Sequence, residues 1–213
     1  MCFVGIDGSG KSTLARSLTT IIEQRGVKCR YVWMGFNDSF TIFRPVVAAA
    51  KGSVFRGSRH MEESRTKGMV VKSPVLSTIY QYLVLTDYIF QSSIRVGLPL
   101  AMGRNVICDR YIYDLIVAVA VLLDFSVDRT MALLDRCLAV LPKPDLVFLV
   151  DLPEELALQR KDDVVSLDFL SVRRDLYLQM APQCGMTILD GTRDPGELAQ
   201  LAASEVFQDL AGD

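Results

Sequence analysis

The chain is poor in the residues on which several common chemistries depend. Histidine occurs once among 213 residues, at His60. A Ser-His-Asp or Cys-His mechanism would have to rest on that imidazole, which sits in a polar stretch. The five cysteines, Cys2, Cys29, Cys108, Cys137 and Cys184, are scattered, and none forms a C-x-x-C pair. Reduced, mostly buried thiols in a cytoplasm are therefore expected, not a disulfide framework. Positive charge is not in excess: Lys plus Arg is 23, Asp plus Glu is 25, and the net charge is -2. That is not the balance of a general nucleic-acid binder. Long apolar runs are missing too. Leu115–Leu123 is the longest without a charge, far short of the roughly 20 residues that span a bilayer. No positively charged leader precedes the first apolar segment, so no signal peptide is expected.

What is present starts at the N-terminus. Gly5-Ile6-Asp7-Gly8-Ser9-Gly10-Lys11-Ser12 fits G-x-x-x-x-G-K-[ST], the phosphate-binding loop. Gly5, Gly8 and Gly10 permit backbone conformations that a Cβ would block, so successive N–H groups, Ser9 included, can converge on phosphate oxygens. The loop opens a helix whose N-terminal dipole favours an anion. Lys11 would reach the β- and γ-phosphates, and the Ser12 hydroxyl would ligate Mg²⁺. The apolar strand Cys2–Ile6 before the loop and a helical pattern over Ser12–Arg25 after it supply the context the motif needs.

Strands and helices alternate along the rest. Further short apolar strands are expected at Cys29–Met34, Asn105–Asp109, Leu146–Asp151 and Met186–Asp190. Helical patterns cover about 42–51, Val75–Ile94, Ile112–Leu123, Asp128–Leu141, Pro153–Lys161, Leu167–Ala181 and Pro195–Leu210. Strands alternating with helices predict one α/β domain over residues 1–213, a parallel sheet with helices on both faces. The stretch 51–72 breaks the pattern: six basic residues stand against Glu62 and Glu63. It reads as a solvated loop or as a basic flap over a phosphorylated substrate.

Ligands of a parallel sheet sit at the carboxyl ends of its strands. Asp7, Asp109, Arg110, Asp151 and Asp190 all fall there. Asp109 could hold the Mg²⁺ that Ser12 also ligates, and Arg110 could grip a phosphate. Asp151 suits the cap of the helix entered through Pro153. Arg160, Lys161, Arg173 and Arg174 form a second basic constellation on a helical hairpin, a device phosphoryl transfer can use.

The segment Phe3–Thr13 resembles the opening of the thymidylate kinases, and Val106–Tyr111 resembles their Asp-Arg-Tyr motif. Pro144–Pro153 is similar to their fourth strand. Leu167–Leu170 with Arg174 and Tyr177 is similar to the helix after their lid, and Ile188–Gly191 to their last strand and adenine loop. The resemblance runs nearly end to end and implies a three-layer P-loop kinase fold with a five-stranded parallel sheet and a lid at about 156–175. It implies phosphoryl transfer from ATP to a nucleoside monophosphate, dTMP by family default, in a cytoplasmic homodimer. Lys11, Ser12 and Thr13 would bind the donor phosphates and Mg²⁺. Asp190 and Gly191 would border the donor base. Asp7 would sit beside the acceptor sugar. Arg110, with Arg44 and Tyr111, would hold the acceptor.

The acceptor half departs from the family. Trp33–Asn37 stands where the family shows an Arg-Glu-Pro-Gly-Gly turn. Val84 and Tyr88 stand where the family has a stacking aromatic and a base-reading arginine. Trp33 and Tyr88 could rebuild a pocket for another ring. Another small acceptor (a different nucleotide, a nucleoside or a sugar phosphate) is the alternative, and a nucleotide-binding switch that turns nothing over is a third reading.

Overall fold

A computed structural model describes residues 1–35, 74–160 and 166–212. Five strands form one sheet: β1 Cys2–Val4, β2 Cys29–Trp33, β3 Asn105–Asp109, β4 Val147–Asp151 and β5 Thr187–Asp190, in the order β2-β3-β1-β4-β5. Every pairing is parallel, with Phe3 opposite both Asp109 and Phe148. The helices are α1 Lys11–Gln24, α2 Pro74–Ser92, α3 Leu98–Ala101, α4 Ile112–Leu123, α5 Val127–Leu138, α6 Glu154–Gln159, α7 Leu167–Cys184 and α8 Pro195–Gly212. This is the three-layer α/β arrangement of P-loop kinases, as expected. The expected helix at about 42–51, the basic stretch 51–72, Arg44, His60 and Lys161 lie outside the described residues.

Side-chain alternation in the strands builds two cores, because successive residues of a strand point to opposite faces. Phe3, Ile107, Phe148 and Val150 pack with Leu14, Leu18 and Ile22 of α1 and with Ala202 and Val206 of α8. The Phe3 and Phe148 rings stack at 5.1 Å. Cys2, Val4, Cys108 and Leu149 face the other way, onto α2, α4 and α7. The central strands β1, β3 and β4, covered on both sides, read as nearly continuous apolar runs, which is why they were legible.

Two element ends depart from expectation. β1 stops at Val4, two residues early, because Gly5 adopts φ +137° and turns the chain into the loop. α7 runs three residues past Ala181, through Pro182, and ends where Gly185 takes the left-handed conformation. A π-helical turn, Ser93–Gly97, joins α2 to α3. Among the described residues no helix is long and apolar enough to cross a membrane.

One ion-pair group ties the end of β4 and the start of α6 to α7. The Arg174 guanidinium donates to both oxygens of Asp151, at 2.6 and 3.0 Å, and to Glu154 at 2.9 Å. Asp151 is thus held by Arg174 and does not cap α6, whose N-cap is Pro153. All three side chains are partly screened by the fold. Arg174→Ala should cost about 1–2 kcal/mol, discounted for that partial exposure. For a chain of this size that is a fall of about 2–8 °C in Tm. Calorimetry checks it, and an unchanged Tm would remove Arg174 from the supports of the fold.

Candidate active site

The phosphate loop lies where β1 ends, at the centre of the sheet. Gly5 and Gly8 have positive φ, and each backs closely onto its neighbours. A Cβ on Gly5 would stand 2.6 Å from the Val150 carbonyl oxygen, and one on Gly8 would stand 2.5 Å from that of Ala157. Both are contacts that no side chain tolerates, so glycine is required by packing as well as by φ. Gly10 caps α1 with φ +97°, leaving the first helical N–H groups facing the loop. Ser12 and Thr13 are exposed on that first turn.

Lys11 is buried, and its ammonium donates to the Ile6 carbonyl and, at 3.4 Å, to Ser9 Oγ. Burial, then Arg110, pushes its pKa down to about 8, against the pull of Asp114, Asp7 and Asp109. The donor loop and the end of β3 therefore share one electrostatic environment.

Asp109 and Arg110 follow each other at the end of β3 but do different things. Asp109 is fully buried; its Oδ2 accepts from Tyr31 Oη at 2.7 Å, and its Oδ1 has no partner among the described residues. A buried carboxylate oxygen without a partner costs about 1–3 kcal/mol or more, which a cation would relieve. Mg²⁺ uses one or two protein oxygens and fills the rest with water and phosphate. Asp109 with the Ser12 hydroxyl fits that demand. No cluster of three or more His, Cys, Asp or Glu suited to a caged metal exists among the described residues.

Arg110 has φ +65°, a left-handed backbone that a non-glycine residue adopts at a cost of about 1 kcal/mol or more. Its N–H donates to Phe3 at 3.0 Å. Its guanidinium donates to Asp7 of the loop and, at 3.1 Å, to Asp114 on α4. Burial would lower its pKa, but Asp114 and Asp7 more than reverse that and hold it raised. Asp114 is buried and its pKa is raised, first by burial, with Arg110 opposing. Its Oδ2 has no partner of good geometry among the described residues, although the Tyr177 hydroxyl faces it.

The other expected residues are placed as follows. Asp190 turns outward and accepts from Thr192 Oγ1 at 2.7 Å, while Gly191 packs against the Asp151 carbonyl. Arg160 is exposed at the end of α6. Trp33 is half-exposed at the end of β2, its ring over Gly35. Tyr111 and Tyr88 lie in the core instead of the open cleft. The Tyr111 hydroxyl donates to Pro142 at 3.0 Å, and Tyr88 packs beside the Tyr111 ring, its own hydroxyl without a hydrogen-bond partner among the described residues. Both rings were expected to meet the acceptor; strand-end position is not enough, because the chain turns at Arg110 and points Tyr111 inward. Asp114 and Tyr31 were missed. Asp114 had a signal, its i,i+4 spacing from Arg110 on a predicted helix. Tyr31 had none, since its partner is 78 residues away.

No family model matches the chain. It is 25% identical to the thymidylate kinase of Fervidobacterium nodosum over 92% of this chain and 92% of that protein. It is 27% identical to a probable thymidylate kinase of Metallosphaera sedula over 81% of this chain and 93% of that protein. A thymidylate kinase of Xanthomonas campestris is 30% identical over 73% of this chain, a match spanning 57% of that protein.

The pKa of Lys11 sets a pH dependence. Below about 8 the ammonium is already charged when a triphosphate arrives. Above it, binding must take up a proton, so affinity for Mg-ATP should fall by about tenfold per pH unit. Titrations from pH 7 to 9.5 should show a flat region and then that slope, and Lys11→Ala should bind weakly without it. A wild-type affinity that stays level to pH 9.5 would contradict the assignment.

Proposed function

We propose that this chain, a relative of the thymidylate kinases, transfers the γ-phosphoryl group of Mg-ATP to dTMP. The coarser activity, nucleoside monophosphate kinase, comes from that kinship; the residue roles below are our assignment. The support in the structure is one juxtaposition. Lys11 of the donor loop stands within electrostatic reach of Asp7, Asp109, Arg110 and Asp114, so donor and acceptor groups meet at the carboxyl edge of the sheet.

The backbone N–H groups from Gly8 to Thr13 cradle the donor phosphates, and Lys11 leaves the Ile6 carbonyl to reach the β- and γ-phosphates. Asp109 and Ser12 would hold Mg²⁺, which neutralises charge on the β- and γ-oxygens when bound. Gly191 and Asp190 flank the donor base. Arg110, oriented by Asp7 and Asp114, faces the acceptor, while Arg44 lies outside the described residues and keeps its assigned role beside it. Arg160 enters from the end of α6 toward the migrating group. A phosphate acceptor is a nucleophile at neutral pH, so no general base is needed, and catalysis is positioning plus charge neutralisation.

A second acceptor class is favoured by one observation. Val84 and Tyr88 on α2 are both buried, so neither offers the base a stacking face or a free guanidinium. A different nucleotide, a nucleoside or a sugar phosphate fits an acceptor pocket rebuilt around Trp33.

The chain is further proposed to be a homodimer. Val75, Ile79, Tyr82, Phe90, Ile94 and Leu98 form a half- to two-thirds-exposed stripe along α2 and its continuation, and an apolar stripe of that length suits a second copy. Light scattering at micromolar concentration should give twice the chain mass; a monomer would remove this assignment. For the activity, ADP release from Mg-ATP should be measured with dTMP, dUMP, UMP, CMP, GMP, AMP, thymidine and several sugar phosphates. Turnover should be greatest with dTMP, and Lys11→Ala should lose about 100-fold or more. Turnover with another acceptor would re-specify the pocket, and ATP binding without any turnover would favour a switch module.

A further inference from the structure

Arg173 and Arg174 are neighbours that face opposite ways. On α7, residues four apart share a face, so Phe169, Arg173 and Tyr177 form one stripe. Arg174, off that stripe, is engaged with Asp151 and Glu154. Arg173 lies over the Phe169 ring, its guanidinium carbon 4.0 Å from the ring centroid. Its Nε–H is shut off from solvent and has no hydrogen-bond partner among the described residues.

The surroundings of that guanidinium are the acceptor side of the site. Tyr177, Asp7, Arg110 and Asp114 all act on it electrostatically. Arg110 supplies one positive charge there, and Asp7 and Asp114 supply two negative ones. Those three groups alone are net negative and would repel an incoming phosphate. Burial, the largest influence, lowers the pKa of Arg173, the mark of a desolvated charge that gains from an anion beside it.

We propose that Arg173 binds the phosphate group of the acceptor, a phosphomonoester, through its Nε–H and a terminal N–H. Phe169 fixes the plane of the fork, and the Asp7–Arg110–Asp114 group keeps its neighbour oriented. Part of the positive charge that makes this site attractive to a dianion is therefore carried by the first half of α7, and not by the Asp-Arg motif alone. The assignment rests on the phosphotransferase reading above.

The test compares wild type with Arg173→Gln and Arg173→Lys, using whichever nucleoside monophosphate the wild-type protein turns over best. Arg173→Gln should lose about 10–100-fold in acceptor kcat/KM, the worth of a charge-assisted contact. The loss should fall chiefly in the acceptor KM, with the KM for ATP and the Tm within error of wild type. A purely structural role would move all three together. Arg173→Lys keeps the charge without the fork and should recover part of the loss, leaving a rise of about 3-fold or more in acceptor KM. If the glutamine variant does not fold, the lysine variant carries the test by that criterion. An acceptor KM unchanged in a folded variant would overturn the assignment while leaving the kinase reading intact. Absence of wild-type turnover with every monophosphate would overturn both.

Discussion

The arrangement of the site depends on one guanidinium held between two carboxylates. Arg110 joins Asp7, from the loop after β1, to Asp114, from the first turn of α4. Without it, two carboxylates would face each other in a partly dry cleft. With it, the loop, the end of β3 and α4 are cross-linked at the carboxyl edge of the sheet. The strained backbone of Arg110 fits this role. A left-handed residue persists only where its surroundings over-determine it, and here the N–H bond to Phe3 and two ion pairs do so.

The same group sets the charge available to substrates. In the proposed reaction, donor phosphates would meet a neutral backbone cradle, a helix terminus and a lysine whose pKa burial lowers to about 8, leaving it charged at neutral pH. The proposed acceptor would meet a guanidinium already engaged twice. Such a site would discriminate by demanding compensation: an anion would be accepted only where further cations or a metal complete the balance. Water exclusion then strengthens every remaining interaction, because the local dielectric is low.

Much of this was legible in the sequence, and the reasons are physical. The phosphate loop is specified within eight residues, so motif and geometry coincide. All five strands were found: burial on both faces keeps the central strands β1, β3 and β4 almost free of polar interruption, and the edge strands β2 and β5 are short runs rich in β-branched and aromatic residues. The acceptor side was less legible. Tyr88 and Tyr111 are aromatic and stand near strand and helix ends, yet packing turned both inward. Asp114 and Tyr31 acquire meaning only through partners brought near by folding, and Asp151 traded a local capping role for a distant arginine. Local rules predict local contacts; a side chain that can choose between its own turn and another helix is decided by tertiary packing.

The contact between Gly8 and α6 has a consequence for exchange between proteins. With the α-carbon of Gly8 set so near the Ala157 carbonyl that even a methyl group would collide, the loop and α6 are one machined surface. Neither can be replaced by a homologue's version unless the separation is reproduced. A chimaera that borrows α6 must borrow the loop with it, and the two segments, about 150 positions apart along the chain, should be inherited as a single unit of recombination.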